Sequence, residues 1–224
     1  LTIGVLQEPG TLNPLLASLP IENTISALTV EGLVEVDADG QYVPVLAEEL
    51  PAISEDGLTV TYQLKQGVKF SNGDAFTCAD VQFTRDAALS GAGDPGYRAI
   101  DSIDCPDDHT AIVKFAETYA PYLRLFSFII PQAAGDPAAL ETWEYNRAPI
   151  GAGPWRVKEW QAGQAITFEK NPNYRQAGKP YLDGLTIKFV PDTATGLQLL
   201  GSGEIDVMWG LAETDIAQLK GLES

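Results

Sequence analysis

Cysteine, histidine and methionine are scarce in this sequence, with two, one and one among 224 residues. No CxxC pair occurs and His109 has no second histidine at ligand spacing, so a zinc site built from these residues is excluded. Cys78 and Cys105 are read either as one disulfide or as two buried thiols, and the bridge would add stability by constraining the unfolded chain. Cations are also few: 14 Lys and Arg stand against 31 Asp and Glu, a formal net charge of -17. No basic stripe exists to release counterions, which argues against nucleic acid and anionic lipid as partners. No apolar run approaches the roughly 18 residues needed to cross a bilayer. The GxSxG, HExxH and GK[ST] patterns are missing, and His109 sits in a PDDHT turn without a nucleophile beside it. The residues therefore nominate no catalytic group, no metal ligand and no cofactor.

What is present is a globular pattern. Apolar residues make up 45% of the chain, and 21 Gly and 15 Pro imply many short elements joined by turns. LTIGVL alternates as a strand. From Ser18 a helical pattern begins, with Pro20 in its first turn and Ile21, Ile25 and Leu28 on one face, and Gly32 is expected to break it. LVEV then runs into a turn at 37–40. Residues 54–76 read as antiparallel hairpins: SEDG turns, TVTYQL alternates, and Asn72-Gly73 follows GVKF. Thr77 is expected to start a helix by capping the Asp80 N–H with its hydroxyl, with Val81, Arg85 and Ala88 on a face and SGAGDPG as the stop. Two strands around PDDH fill 101–115. PYLRLF suggests a short helix and FIIP a strand closed by Pro131. WRVKEW, AITFEKN and LTIKFV read as three strands, and Asp192 caps a helix with Ala194, Leu197 and Leu200 that Gly201 ends. IDVMW is expected to be a buried strand, and a last helix turns Ile216 and Leu219 inward. GAGP at 151–154 lacks the third glycine of a nucleotide loop and reads as a close backbone crossing. Glu48 and Glu49 could serve a glycosidase only if paired acids faced each other across a cleft.

The run EGLVEVDADGQYVPVLAEEL, followed by SEDGLTVTYQLKQGVKFSNGDAFTCADVQFT, resembles the dipeptide, oligopeptide and nickel family of extracellular solute-binding proteins that serve ABC importers, family 5. IGAGPWRVKEWQAGQAITFEKNPNY is similar to the next family block, and GKPYLDGLTIKFVPD and GEIDV follow in family order. The resemblance implies an α/β fold of the type II periplasmic-binding-protein kind with an α+β insertion. Its first domain would comprise residues 1–41 and 147–224 and its second, inserted, domain 42–146, with short crossings at VEVDADG and RAPIGAG. Members are longer, so the chain is expected to be the N-terminal part without the C-terminal lobe, folding alone but binding the natural ligand poorly. Cys78 stands where the family usually has Ala, which suggests an added disulfide to Cys105.

The resemblance also implies a function: capture of a small solute, a di- or oligopeptide first, by closure of two lobes, and delivery to a membrane permease. An oligosaccharide or nickel-chelate receptor of the same fold is the alternative, and a hydrolase with paired carboxylates or a structural envelope protein comes from a different class. The implied partners are the ligand and the permease and ATPase subunits, with the receptor a monomer. Its expected place is the periplasm or the extracellular space, with a lipid anchor to the outer face of the cytoplasmic membrane as an option. Glu31, Gly32 and Leu33 match a segment bordering the cleft, Trp209 and Gly210 match positions that reach ligand in peptide-binding relatives, and Tyr97 is a match from the second domain. Core packing is the competing account of Trp209, and a solvated helix-end carboxylate that of Glu31.

Overall fold

The computed structural model describes residues 1–91 and 95–212. Period-two alternation and β-branched residues build most of its strands, and long-range pairing arranges them in two main sheets. The first contains β1 (Thr2–Val5), β8 (Trp155–Gln161), β9 (Ala165–Lys170), β10 (Gly184–Phe189) and β11 (Val207–Met208), in the order β11-β1-β10-β9-β8. β1 is parallel to both β10 and β11, so the first strand lies between two late ones, with β11 at the sheet edge. Helix α3 (Thr193–Ser202) makes the crossover between β10 and β11 that a parallel arrangement requires.

Helix α1 (Pro20–Ser26) covers the sheet face that carries Val5, Ile166, Phe168, Leu185 and Ile187, burying Ile21 and Ile25 against it. Its first turn is fixed by Glu22, whose carboxylate accepts from the backbone N–H groups of Ser18 (2.7 Å), Leu19 (2.9 Å) and Gly10 (2.9 Å). The helix ends at Ser26, six residues before the Gly32 stop expected from sequence. At its end the Ser26 hydroxyl donates to the Asn23 carbonyl and that of Thr29 to the Ser26 carbonyl, alongside the backbone bonds from Ala27 and Val30 to the same oxygens. At α3 the expected Asp192 cap is present, its carboxylate accepting from Thr195 N–H at 2.7 Å. Its stop is Gly203, at φ 75°, rather than Gly201, which lies inside the helix.

The second sheet has the order β4-β5-β7-β6, from β4 (Ala52–Ile53), β5 (Thr59–Gln63), β6 (Ile100–Asp107) and β7 (Thr110–Phe115). Pairing Val60 with Val113 and Tyr62 with Ala111 puts four buried side chains on one face. Helix α2 (Cys78–Ser90) adds Val81, Thr84, Ala87 and Ala88 to the same core. The Asp80 carboxylate accepts from Thr77 N–H at 2.9 Å, but the Asp80 N–H bonds the Thr77 carbonyl and not its hydroxyl, which turns to the Asp80 carboxylate instead. Cys78, at the start of α2, is bridged to Cys105 in β6, with Cα atoms 5.8 Å apart.

A hairpin of β2 (Val34–Val36) and β3 (Tyr42–Pro44) forms a separate two-stranded sheet whose Val34 joins the second sheet's core. PYLRLF forms only a short 3-10 turn at Tyr122–Arg124. The FIIP segment joins no sheet, because its amides go elsewhere: Ile129 N–H to the Glu31 carbonyl and Ile130 N–H to the Thr84 hydroxyl. The expected final helix with Ile216 and Leu219 lies outside the described residues.

Candidate functional site

Residues 28–33 form the junction on which the two sheets meet. Leu28 and Thr29 offer their carbonyls to the N–H groups of Trp155 (3.1 Å) and Gly153 (2.9 Å), tying the segment to the first sheet. Gly151 and Gly153 make this possible, since a Cβ on either would collide with the Thr29 carbonyl. The next residues turn to the second sheet's core. The Glu31 carbonyl accepts from Ile129, Leu33 N–H donates to Phe126 (2.8 Å), and the Gly32 and Leu33 carbonyls accept from Leu46 and from Val45 and Ala47. Gly32 lies flat against Ser127, whose backbone occupies the place of a Cβ. Thus Glu31, Gly32 and Leu33 are held on both sides by main-chain bonds.

The Glu31 side chain is not left free for a ligand. Arg175 grips it with two bonds, Nε to Oε2 and Nη2 to Oε1, both 3.0 Å, and the Tyr174 hydroxyl donates to Oε1 at 3.0 Å. The Glu31 side chain is 9% exposed and that of Arg175 19%. Burial pushes the Glu31 carboxyl above its usual range, against the pull of Arg175 and Tyr174. The Tyr174 hydroxyl is itself pushed up to about 12, by burial first and by the Glu31 charge second. Lys65 stands nearby, its Nζ donating to the Val45 carbonyl at 2.7 Å, and burial lowers its pKa with Arg175 repelling it. Lys65, Glu48 and Arg175 line one recess of about 610 Å³.

Trp209 occupies a different setting. Its N–H extends the ladder to the Gly4 carbonyl at 2.9 Å, and its side chain is 42% exposed over an apolar recess of about 250 Å³. Val5, Ile25, Leu28, Ile187 and Val207 supply much of that recess, so one wall belongs to the junction segment. Gly210 follows at φ 84°, a left-handed conformation that favours glycine where the chain leaves the sheet. Tyr97 is 2% exposed and packs edge-to-face on Phe126 with ring centroids 5.3 Å apart. Its hydroxyl accepts from Phe126 N–H at 2.8 Å, which holds Phe126 at φ 55° and places its carbonyl for Leu33. Tyr97 therefore touches the junction through Phe126 and opens to no recess described here.

His109 stays in the β6–β7 turn, its N–H bonded to Asp107, and among the described residues no group of three His, Cys, Asp or Glu is arranged to hold a metal ion. Sequence reasoning overlooked Tyr174 and Arg175, the two residues that neutralise Glu31. Their only signal was a cation directly after the NPNY loop, 144 residues from its partner.

The family model described as bacterial extracellular solute-binding proteins, family 5 Middle, matches residues 41–224. Protein XP55 of Streptomyces lividans is 30% identical over 208 residues, which cover 91% of this chain and 38% of that protein. The oligopeptide-binding protein AppA of Bacillus subtilis is 31% identical over 217 residues, 92% of this chain and 40% of the relative. The chain thus spans well under half the length of these curated relatives. Among solved structures, AppA from Bacillus subtilis in complex with a nonapeptide superposes with a TM-score of 0.88 at 30% identity, over 98% of this chain and 45% of that one. NikZ from Campylobacter jejuni in complex with Ni(L-His) gives 0.83 at 25% identity, over 92% and 42%.

Proposed function

The chain belongs to the bacterial extracellular solute-binding proteins, family 5, and from that premise we propose that it is the N-terminal portion of a receptor that captures a peptide and hands it to an ABC importer. Members of the family bind solutes outside the cytoplasm and are not enzymes. The observation that carries the peptide reading is the match over nearly the whole chain to a structure holding a nonapeptide.

In this reading two lobes close around the ligand, and groups from both become desolvated together, so affinity depends on a lobe supplied by the longer protein. No covalent step is needed, and the receptor works without catalytic residues. We assign residues 1–41 and 147–224 to one domain and 42–146 to an inserted one. Val30, Leu33 and Val34 pack with the second sheet's core, so side chains at the first crossing hold the inserted domain against the first. Gly32 and Leu33 border the cleft as a rigid backbone edge. Trp209 and Gly210 form its apolar wall, where an indole face can cover a peptide plane or an aliphatic side chain. Tyr97 acts on the site by supporting Phe126, and Glu31 by holding Arg175.

The partners are the permease and ATPase subunits, and the receptor acts as a monomer in the periplasm or on the outer face of the cytoplasmic membrane. A lipid anchor, if carried, adds a discrete mass to the mature protein. Thermal denaturation of the full-length protein with peptides, oligosaccharides and nickel-histidine tests the reading. Stabilisation by peptides alone supports it; stabilisation only by a sugar or by the chelate overturns the peptide assignment, and none by any ligand overturns the receptor role.

A further inference from the structure

The first 64 residues contain ten Asp and Glu and no Lys or Arg. Two of these acids stand close to the junction, and their surroundings differ. Glu31 is neutralised by Arg175 and Tyr174. Glu35, on β2, is exposed and has no ion pair or side-chain hydrogen bond among the described residues. It lines a groove of about 360 Å³ between the end of α1, the β2 strand and the Ser127–Phe128 segment. The groove has two chemistries. Val30, Val36 and Phe128 supply apolar surface, whereas Asn23, Ser26 and Glu35 supply polar edges.

That combination suits an aliphatic stem ending in a cation. Four methylenes cover apolar surface while the ammonium stays near water and a carboxylate. A neutral or anionic side chain would leave the Glu35 charge without a partner or repel it. A chain of net charge -17 also attracts positively charged solutes in general.

We propose that the groove beside Glu35 is a subsite for a basic side chain of the ligand, lysine or arginine, with Glu35 as its counter-charge. The assignment rests on the peptide-receptor reading above and adds a preference for cationic peptides. The counter-charge is Glu35 and not Glu31, four residues earlier, whose charge is already satisfied within the chain.

Calorimetric titration of the full-length protein, freed of ligand, tests it with matched di- to pentapeptides in which one lysine is exchanged for norleucine. The lysine peptide is expected to bind about five- to tenfold more tightly than its norleucine partner, the range for a partly hydrated charged hydrogen bond. Glu35→Gln should abolish the difference and leave the norleucine peptide unaffected, while Glu35→Asp, which keeps the charge, should retain the preference and shows that the fold is intact. Asp39→Asn, at the tip of the β2–β3 hairpin, should change neither. Equal binding of the two peptides to the unaltered protein overturns the subsite, as does a lysine preference that survives Glu35→Gln. An equal loss in Asp39→Asn would assign the preference to the general field and overturn the site. Binding by no peptide of either kind overturns the receptor reading and the subsite with it.

Discussion

Removing Arg175 is expected to damage the protein more than removing the charge it neutralises. Arg175→Ala strands a carboxylate whose side chain is 9% exposed, whereas Glu31→Gln leaves a guanidinium whose side chain is 19% exposed and can rehydrate along its open edge. Breaking a buried pair from one side costs about 3–5 kcal/mol. The residual hydration here places Arg175→Ala at the lower end, about 3 kcal/mol. Glu31→Gln keeps an oxygen that accepts from Tyr174 or Arg175, so its cost is that of weakened bonds, about 1.5 kcal/mol. In the double variant no charge is stranded, and the loss should fall short of the sum by about 2 kcal/mol. pH supplies a sign. Burial already raises the Glu31 pKa above its ordinary 4.5, and loss of Arg175 raises it further. A carboxyl with a raised folded pKa destabilises the fold as pH climbs past the unfolded value and on to the folded one. The Arg175→Ala deficit should therefore be largest at neutral pH, shrink as pH falls through the raised folded pKa of the stranded carboxyl, and be smallest at and below the ordinary 4.5. Urea titration followed by tryptophan fluorescence measures all three variants. Equal single costs, strict additivity, or a deficit that grows on acidification would refute the reasoning.

Replacing both Cys78 and Cys105 by Ala should remove about 3.5 kcal/mol of stability, the chain-entropy value for a separation of 27 residues; a change in denaturation midpoint equivalent to less than about 1 kcal/mol would show that the bridge constrains little. Burial pushes the Glu22 carboxyl up, but the backbone N–H groups around it, those of Leu19, Ser18 and Gly10 among them, together outweigh it and hold its pKa low. Its contribution is thus present above the ordinary 4.5 and is lost as pH falls through and below it, so Glu22→Gln should lower the melting temperature at pH 7 and have less effect near pH 3. Gly32→Ala forces a methyl into the Ser127 backbone and should cost more than about 3 kcal/mol; a melting temperature equal to that of the unaltered protein would contradict the close approach. Trp209→Ala, at a site 42% exposed, should lower peptide affinity by more than about tenfold while costing little stability; the reverse pattern would make it a core residue.

Local periodicity was enough to read β5, β7, β9 and β10, whose alternating burial follows directly from their residues. Asp192 was equally legible, because a cap acts over three residues. The misread stops have different causes. Gly32 and Gly201 looked like helix breakers, but the first is small because Ser127 lies on it and the second is tolerated within the last turn, two residues before Gly203. FIIP has a strand's composition, yet its amides are taken by Glu31 and Thr84, partners that no local pattern names. The site suffered most. Glu31 could be singled out from its motif, but whether its charge was free depended on Arg175, 144 residues away.

The central claim, that this chain is part of a peptide receptor, is tested most directly by native mass spectrometry of the full-length protein purified gently from its host. The 224-residue piece serves as the control for non-specific adducts. The account predicts a ladder of peptide masses on the full-length protein alone, rich in lysine- or arginine-containing sequences. A single discrete sugar or metal-chelate mass, or the same adducts on both proteins, would contradict it.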